Sequence, residues 1–569
     1  MPETGTAPRG EAAGRLDALA DRMLAVTAEA DPFFGTLIGL PAAAAHVPDP
    51  TDTSRERHSA AYRDLAARAA AIDPAELDSE DRITRGMLVD QSTDCANLLD
   101  VRREEFTVSP FNQASVPTAA TVLVPKAQVG DAAEAEAYLS RIRGLTGMLD
   151  AGRELLGRGA ASGRLPVARL VADAVTQLDG HLGTALADDP LLRPGTGRDW
   201  RGADAWRERV RAEVADRVRP ALGRYRDDLA GRALPTGRPD TRPGVCWIPG
   251  GEEAYAALAR FHTTVTLDAA AVHAQGLELV DRLAEEARGY AARAFGTSDL
   301  SEARDRLRAD PGLGYPDEAA VLAAARAALD RAWRVLPDWL DTVPGAEITV
   351  RVVPPAEAAD SMIGYYRPGP PGGRWPGTFW VHPGVRSYEL AALAAHESVP
   401  GHHVQWSLAR EAGLRSAYRR ITVVTSFLEG WALYTERLAD EMGLYAGDLD
   451  RLGMWSMHSL RAARLVVDTG LHAFGWTRER AVTYLMENTA TSARNCAAEV
   501  DRYIGNPGQA LAYMTGRLVV TDLREAAERR LGPRFRAGAF HARLLGNGAL
   551  PLGTLREVIT DWLDEQEAA

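Results

Sequence analysis

The chain has 569 residues, 46% hydrophobic and 25% charged; this exceeds the span of one hydrophobic core and excludes a disordered or membrane-embedded class, so two subdomains or one large body with a cleft are expected. A formal net charge of -13 excludes nucleic acid as a partner, because phosphate binding needs a concentrated positive surface. Lys126 is the only lysine among the basic residues, which reads as coding bias rather than function.

In chain order, Met1 to Ala13 is rich in Pro, Gly, Thr and Glu without an apolar leader core, and residues 1–12 read as a disordered tail. Helical spacing begins with Leu16, Leu19, Ala20, Met23 and Leu24, giving an amphipathic helix over 13–30 that Asp31-Pro32 stops. Further helices are expected over 54–72, 79–98, 132–156, 167–187 and 206–229. Residues 106–124, with Ser109-Pro110, Pro117 and several β-branched side chains, read instead as a long ordered loop. A Pro-, Gly- and Arg-rich break over 231–244 divides the chain. An N-terminal helical subdomain is therefore expected over 13–240 and a catalytic helical subdomain over 241–569.

In the second part, Asp268 is placed to N-cap a long helix running through His273 to Phe295. Strand-like runs occupy 347–353 and 377–382, joined by a loop over 367–373. Thr378 to His382 is a candidate edge strand for an extended peptide, or one half of a plain hairpin. Cys95, Cys246 and Cys496 lie far apart and form no C-x-x-C pair, so they read as buried thiols of a reducing compartment. No segment reaches the ~18 uninterrupted apolar residues of a membrane span. A cytoplasmic protein without a membrane partner is expected.

The chemistry concentrates in residues 393–437. His396-Glu397-Ser398-Val399-Pro400-Gly401-His402-His403 is followed by Glu429-Gly430-Trp431-Ala432. A His followed directly by Glu, more His within two turns and a further Glu downstream is how a helical zinc hydrolase supplies two imidazoles, a general base and a carboxylate ligand. The usual pattern is H-E-x-x-H, since residues four apart share a helix face. Here the fourth position after His396 is Pro400, which cannot bind metal, lacks the N–H that would bond the His396 carbonyl, and should kink or bulge the helix. Two extra residues in a bulge would present His402; a straight helix would present His403, about 10 Å along the axis from His396. Both remain open. Glu429 is the expected third ligand and Glu397 the general base, with Tyr434 and Glu436 placed to orient neighbouring groups. Zinc is the expected cofactor, because a His/His/Glu set with one open position suits it.

The blocks HESVPGHHVQ (396–405), EGWALYTERLADEMGLY (429–445), RAARLVVDTGLHAFGWTRERAV (461–482) and NPGQALAYMTGRL (506–518) together closely resemble the bacterial domain-of-unknown-function family 885. GGEEAYAALARFHTT, LDAAAVHAQGL and FHARLLGNGALPL extend the resemblance over most of the chain. That family looks like a divergent branch of the gluzincin metallopeptidases. The resemblance implies a mainly α fold, a large helical clam-like body with a central cleft and a small β-sheet, similar to the thimet-oligopeptidase and angiotensin-converting-enzyme types. It implies a zinc hydrolase as well, and the departure from H-E-x-x-H belongs to the family's own motif. Its members are described as peptidases or lipoproteins, and no lipoprotein signal is read here.

Arg461, Arg464, Asp468 and His472 recur at three- and four-residue spacing. They form either a charge ladder against the site, with Asp468 fixing His472 and Arg461 or Arg464 neutralising a carboxylate, or a solvated helix face. After the Pro507-Gly508 break, Gln509, Tyr513 and Arg517 recur at helical spacing. A Tyr hydroxyl or an Arg facing the metal would stabilise an oxyanion, and Tyr513 is the first choice, ahead of Tyr388, Tyr365 and Tyr366. The expected function is hydrolysis of an amide bond in a small peptide or peptide-like metabolite. Two alternatives are a zinc-dependent lyase, cyclase or dehydratase acting on a specialised-metabolism intermediate, and a non-catalytic binding protein that keeps the helical shell.

Overall fold

A computed structural model describes residues 10–110, 112, 115–196, 200, 202–354, 363–369 and 376–568. It contains two compact units, one of Met1–Leu258, Leu471–Glu479 and Glu499–Pro507, the other of Ala259–Gly470, Arg480–Ala498 and Gly508–Ala569. Both are mainly helical. The division falls after Leu258 rather than at residue 240, and two later segments return to the first unit. The Pro/Gly/Arg-rich break is no free linker: Arg238 donates from Nε to the Leu165 carbonyl at 2.8 Å and from Nη1 to the Pro243 carbonyl at 2.9 Å, which binds the segment into the first unit.

In the first unit, helix Glu11–Ala30 buries Leu16, Leu19, Ala20, Met23 and Val26 on one face. It starts inside the expected tail, of which residues 1–9 lie outside the described residues. Helices Asp52–Ala70 and Ser79–Asp100 follow, opened by the side chains of Thr51 and Asp78. The core gathers Leu139, Ile142, Leu145 and Leu149 of Ala132–Ala161 with Val171 and Leu178 of Ala168–Gly183 and with Val214, Leu222 and Leu229. Residues 116–126, expected as loop, are helical. Pro117 occupies the first turn, where its missing N–H costs nothing, and Thr118 Oγ1 donates to the Ser109 carbonyl at 2.8 Å.

In the second unit, Asp268 caps Ala269–Phe295 by accepting from the N–H groups of Ala270 and Ala271. A three-stranded sheet consists of β1 (Ile348–Val352), β2 (Gly364–Arg367) and β3 (Gly377–Val381) in the order β1-β3-β2. β3 runs parallel to β1 and antiparallel to β2, with Phe379 opposite Val350 on one side and Tyr366 on the other. The candidate edge strand is thus the central one. Its backbone groups already serve two neighbours, and the sheet's edges belong to β1 and β2.

Five helices carry the site: α1 (Ser387–Glu397), α2 (His402–Glu411), α3 (Thr425–Glu441), α4 (Asp448–His472) and α5 (Leu511–Leu531). Cys95, Cys246 and Cys496 form no disulfide. Among the described residues, no helix is long and apolar enough to cross a membrane.

Candidate metal centre

Helix α1 buries Tyr388, Leu390, Ala392, Leu393, Ala394, Ala395 and His396, a nearly all-round apolar pattern that places it in the core of its unit. It ends at Glu397. Residues 398–401 break the helix, with a cis Val399–Pro400 peptide, and a Cβ on Gly401 would fall 2.0 Å from the His396 carbonyl oxygen. Only glycine fits there. From α3, Trp431 Nε1–H donates to the Pro400 carbonyl at 3.0 Å and Thr435 Oγ1 donates to the Ala395 carbonyl at 3.1 Å, satisfying backbone acceptors that the break exposes. The chain then resumes helix at His402.

The break turns His402 towards His396, with ring centroids 5.0 Å apart and planes at 86°. Nε2 of His396 lies 3.5 Å, and Nε2 of His402 3.7 Å, from Oε2 of Glu429 on α3. The donor atoms of all three residues lie within 4.8 Å of one another. A tetrahedral zinc with ligand bonds of about 2.1 Å sets its donors about 3.4 Å apart, so this set fits the ion in number, chemistry and spacing. His403 is turned away: its Nδ1 is 3.0 Å from the Tyr366 hydroxyl and its Nε2 3.1 Å from the Ala346 carbonyl oxygen. The straight-helix alternative for the second ligand is therefore corrected. Burial drives the His403 imidazole down to about 4, which keeps it neutral.

Behind the donor set, Glu436 Oε1 lies 2.8 Å from Nδ1 of His396 and its Oε2 3.2 Å from Nε2 of His458 on α4. This contact orients the His396 ring so that Nε2 faces Glu429. Glu436 has the orienting position expected of it. His458 is not announced by any motif spacing, and its one sequence signal is a histidine three residues before Arg461 on the same helix. Gln405 is likewise unannounced; its Oε1 lies 3.5 Å from Nδ1 of His402, and its Nε2 donates to the Phe427 carbonyl at 3.3 Å.

Burial pushes the His396 imidazole down, but hydrogen bonds to Glu429 and Glu436 and the charge of Glu397 outweigh it and bring the group to about 9. Burial likewise pushes Glu429 up, and the two imidazoles overcome it, holding the carboxyl well below its ordinary range. Glu397 behaves differently. There burial prevails over the opposing charges of His396, His402 and Arg461, and the carboxyl is raised. Its Oε2 accepts from the Tyr366 N–H at 2.9 Å, on the open edge of β2.

The other predicted residues divide. Tyr513 is buried, with its ring 4.5 Å from the Arg464 guanidinium and 5.9 Å from that of Arg461. Tyr434 is corrected: its hydroxyl is 2.8 Å from His541 Nε2 and receives Arg524 Nη1 at 3.0 Å, on a different face of α3 from Glu429. Asp468 does not fix His472. Its carboxylate accepts from the Gly508 N–H at 3.1 Å, whereas His472 belongs to the first unit and bonds to the Val245 N–H at 3.2 Å and the Tyr503 carbonyl at 3.1 Å. Tyr388 is buried at the far end of α1, eight residues and about 12 Å from His396. Tyr365 stacks on Trp380, Arg517 donates to Met514 Sδ at 3.8 Å, and Gln509 lies just before α5. Residues 370–375 of the loop before β3 lie outside the described residues.

The profile described as "Bacterial protein of unknown function (DUF885)" matches residues 32–559. Among solved structures, a putative lipoprotein from Colwellia psychrerythraea superimposes with a TM-score of 0.87 at 24% identity, covering 97% of this chain and 99% of that one. A putative lipoprotein of unknown function from Shewanella oneidensis gives a TM-score of 0.75 at 18% identity, covering 97% and 100%. No curated protein matches the sequence.

Proposed function

The chain belongs to the bacterial DUF885 family, and from that premise we propose that it is a zinc-dependent hydrolase that cleaves an amide bond in a small peptide or peptide-like metabolite. The observation that carries this reading is the triangle of His396, His402 and Glu429 donors with the Glu397 carboxyl on the residue after His396. A zinc ion held by the three would supply Lewis acidity, making water nucleophilic near neutral pH and polarising a carbonyl. Glu397 takes the proton from water and passes it to the leaving amine. The Tyr366 N–H holds that carboxylate in place. Glu436 and His458 keep His396 in the tautomer that presents Nε2. In the same reading the fold is a divergent, clam-like relative of the gluzincin metallopeptidases.

The test is elemental analysis of chelator-free protein together with turnover of a dipeptide and N-acyl amino acid panel. About one zinc per chain is expected in the wild type, lost in His396→Ala, His402→Ala and Glu429→Ala. Glu397→Gln is expected to keep its zinc and lose turnover by at least about a hundredfold. A folded wild type that takes up no zinc when supplied with it removes the proposal. The expected cytoplasmic location meets a counter-indication, since both solved relatives are described as putative lipoproteins. Fractionation of the native host into soluble and membrane material decides between the two locations.

A further inference from the structure

One turn beyond His458 on α4, Arg461 is only 5% exposed. Helix residues three apart are neighbours, so its stem rises beside the imidazole that contacts Glu436. Among the described residues its one hydrogen bond runs from Nη1 to the Met457 carbonyl of the preceding turn, at 3.3 Å, and its buried Nε has no partner. No carboxylate among the described residues forms an ion pair with it. Arg524 and Arg478 differ, holding Glu441 and Asp501 at 2.6 Å each. The flat face of the Arg461 guanidinium is flanked by the Tyr513 ring at 5.9 Å, which leaves the donor fork as the chemically unsatisfied part.

A buried guanidinium whose Nε–H is unmet is costly unless a partner completes it. Three buried carboxylates act on it through space, Glu389, Glu397 and Glu436. Glu389 accepts from the Arg386 N–H, Glu397 accepts from the Tyr366 N–H and Glu436 lies against His396 and His458, and none of them forms an ion pair with Arg461. Among the described residues no anion pairs with the fork, which leaves it able to receive one from a ligand. The fork geometry matches a carboxylate, which it can hold through two parallel hydrogen bonds.

We propose that Arg461, backed by Tyr513, receives a carboxylate of the substrate, so that the enzyme acts on amides carrying an acid group within a few bonds of the scissile carbonyl. This rests on the metal-hydrolase reading above. The carboxylate is either a free C-terminus or an acidic side chain, and the same chemistry at Arg461 serves both.

The test uses three thiol probes that anchor on zinc: mercaptoacetyl-glycine, mercaptoacetyl-glycinamide, and mercaptoacetyl-aspartic acid α-amide, whose only acid is on its side chain. Each is titrated by calorimetry into zinc-loaded wild type, Arg461→Gln and Arg461→Met; in the Met variant an apolar chain of similar reach keeps the packing. Wild type is expected to bind the glycine acid about tenfold or more tighter than the glycinamide, and both variants are expected to lose that preference. The aspartyl probe follows the acid if a side-chain carboxylate is read, and the amide if the C-terminus is read. Equal affinity of all three probes in the wild type overturns the proposal, and so does an acid preference that survives in either variant. In both cases zinc content leaves the hydrolase reading standing. Protein that retains no zinc and binds no thiol overturns the hydrolase reading itself, and this inference with it.

Discussion

Gly430 and Gly516 bring α3 and α5 into backbone contact: a Cβ on Gly430 would fall 2.5 Å from the Gly516 Cα, and one on Gly516 would fall 1.8 Å from the Ser426 carbonyl oxygen. The contact lies one residue from the ligand Glu429. Gly516→Ala must therefore push apart two helices whose separation sets where that carboxylate sits. A loss of about 3 kcal/mol in unfolding free energy is expected, with weaker zinc binding in whatever folds. Gly553→Ala is the contrast, because a Cβ there meets nothing and the residue lies within helix Leu552–Ala568. It should stabilise by about 0.5–1 kcal/mol. Urea unfolding of the two variants checks both signs, and a neutral Gly516→Ala would show that the crossing has slack.

Glu436 is fully buried and bridges His396 and His458, so its effect on the metal is indirect. Glu436→Gln keeps the shape but removes the charge that favours His396 as a hydrogen-bond donor through Nδ1. Zinc affinity measured by chelator competition should fall about 10- to 100-fold while stoichiometry at saturation stays the same. Glu441→Gln, on the same helix but paired with Arg524 near the surface, should leave affinity unchanged. Equal affinities in the two variants would remove the orienting role.

Much of the helical body is legible in sequence because its apolar residues recur at three- and four-residue spacing, and Leu16, Leu19, Ala20 and Met23 are buried together as that pattern requires. Asp268 is legible for a local reason too, since a cap depends only on the next three residues. β2 is not: four residues beside a Pro/Gly-rich loop are too few to show a period, and their pairing with β3 is set by tertiary contact. The return of residues 471–479 and 499–507 to the first unit leaves no local trace either. At the site, the donor types and the break at Pro400-Gly401 can be read directly. The choice of His402 depends on how far residues 398–401 rotate the chain, and His458 contacts Glu436 across two helices with no motif spacing to announce it.

His403 and His402 are adjacent and should respond oppositely to substitution. His402 contributes Nε2 to the donor set, whereas both ring nitrogens of His403 are engaged by Tyr366 and Ala346. His402→Ala should lose zinc with little change in the stability of the metal-free protein. His403→Ala should retain zinc and lose about 2 kcal/mol of stability, since it leaves a cavity and strands the Tyr366 hydroxyl. Zinc content and thermal melts on the two variants are sufficient; zinc lost from His403→Ala but kept in His402→Ala would reverse the ligand assignment.

Asp189, in the first unit and far in sequence from the metal helix, predicts how the protein responds to acid. It is fully buried, accepting from the Leu191 N–H at 3.0 Å and from Arg219 Nη1 at 2.8 Å, with His181 Nε2 at 3.3 Å. Burial alone would raise its carboxyl, but His181, Leu191 and Arg219 outweigh burial and lower it. A carboxyl lower in the folded than in the unfolded chain contributes stability that is complete above the unfolded value of about 4 and is lost as pH falls through the folded one. Wild-type unfolding free energy should accordingly decline below about pH 4. Asp189→Asn should lose about 3 kcal/mol at neutral pH, where Arg219 is left without its buried partner, and should show a flatter decline in acid because this proton no longer binds on unfolding. Urea titrations across that range compare the two slopes. Parallel curves would mean that other carboxylates set the acid limit and that the Asp189 cluster contributes packing alone.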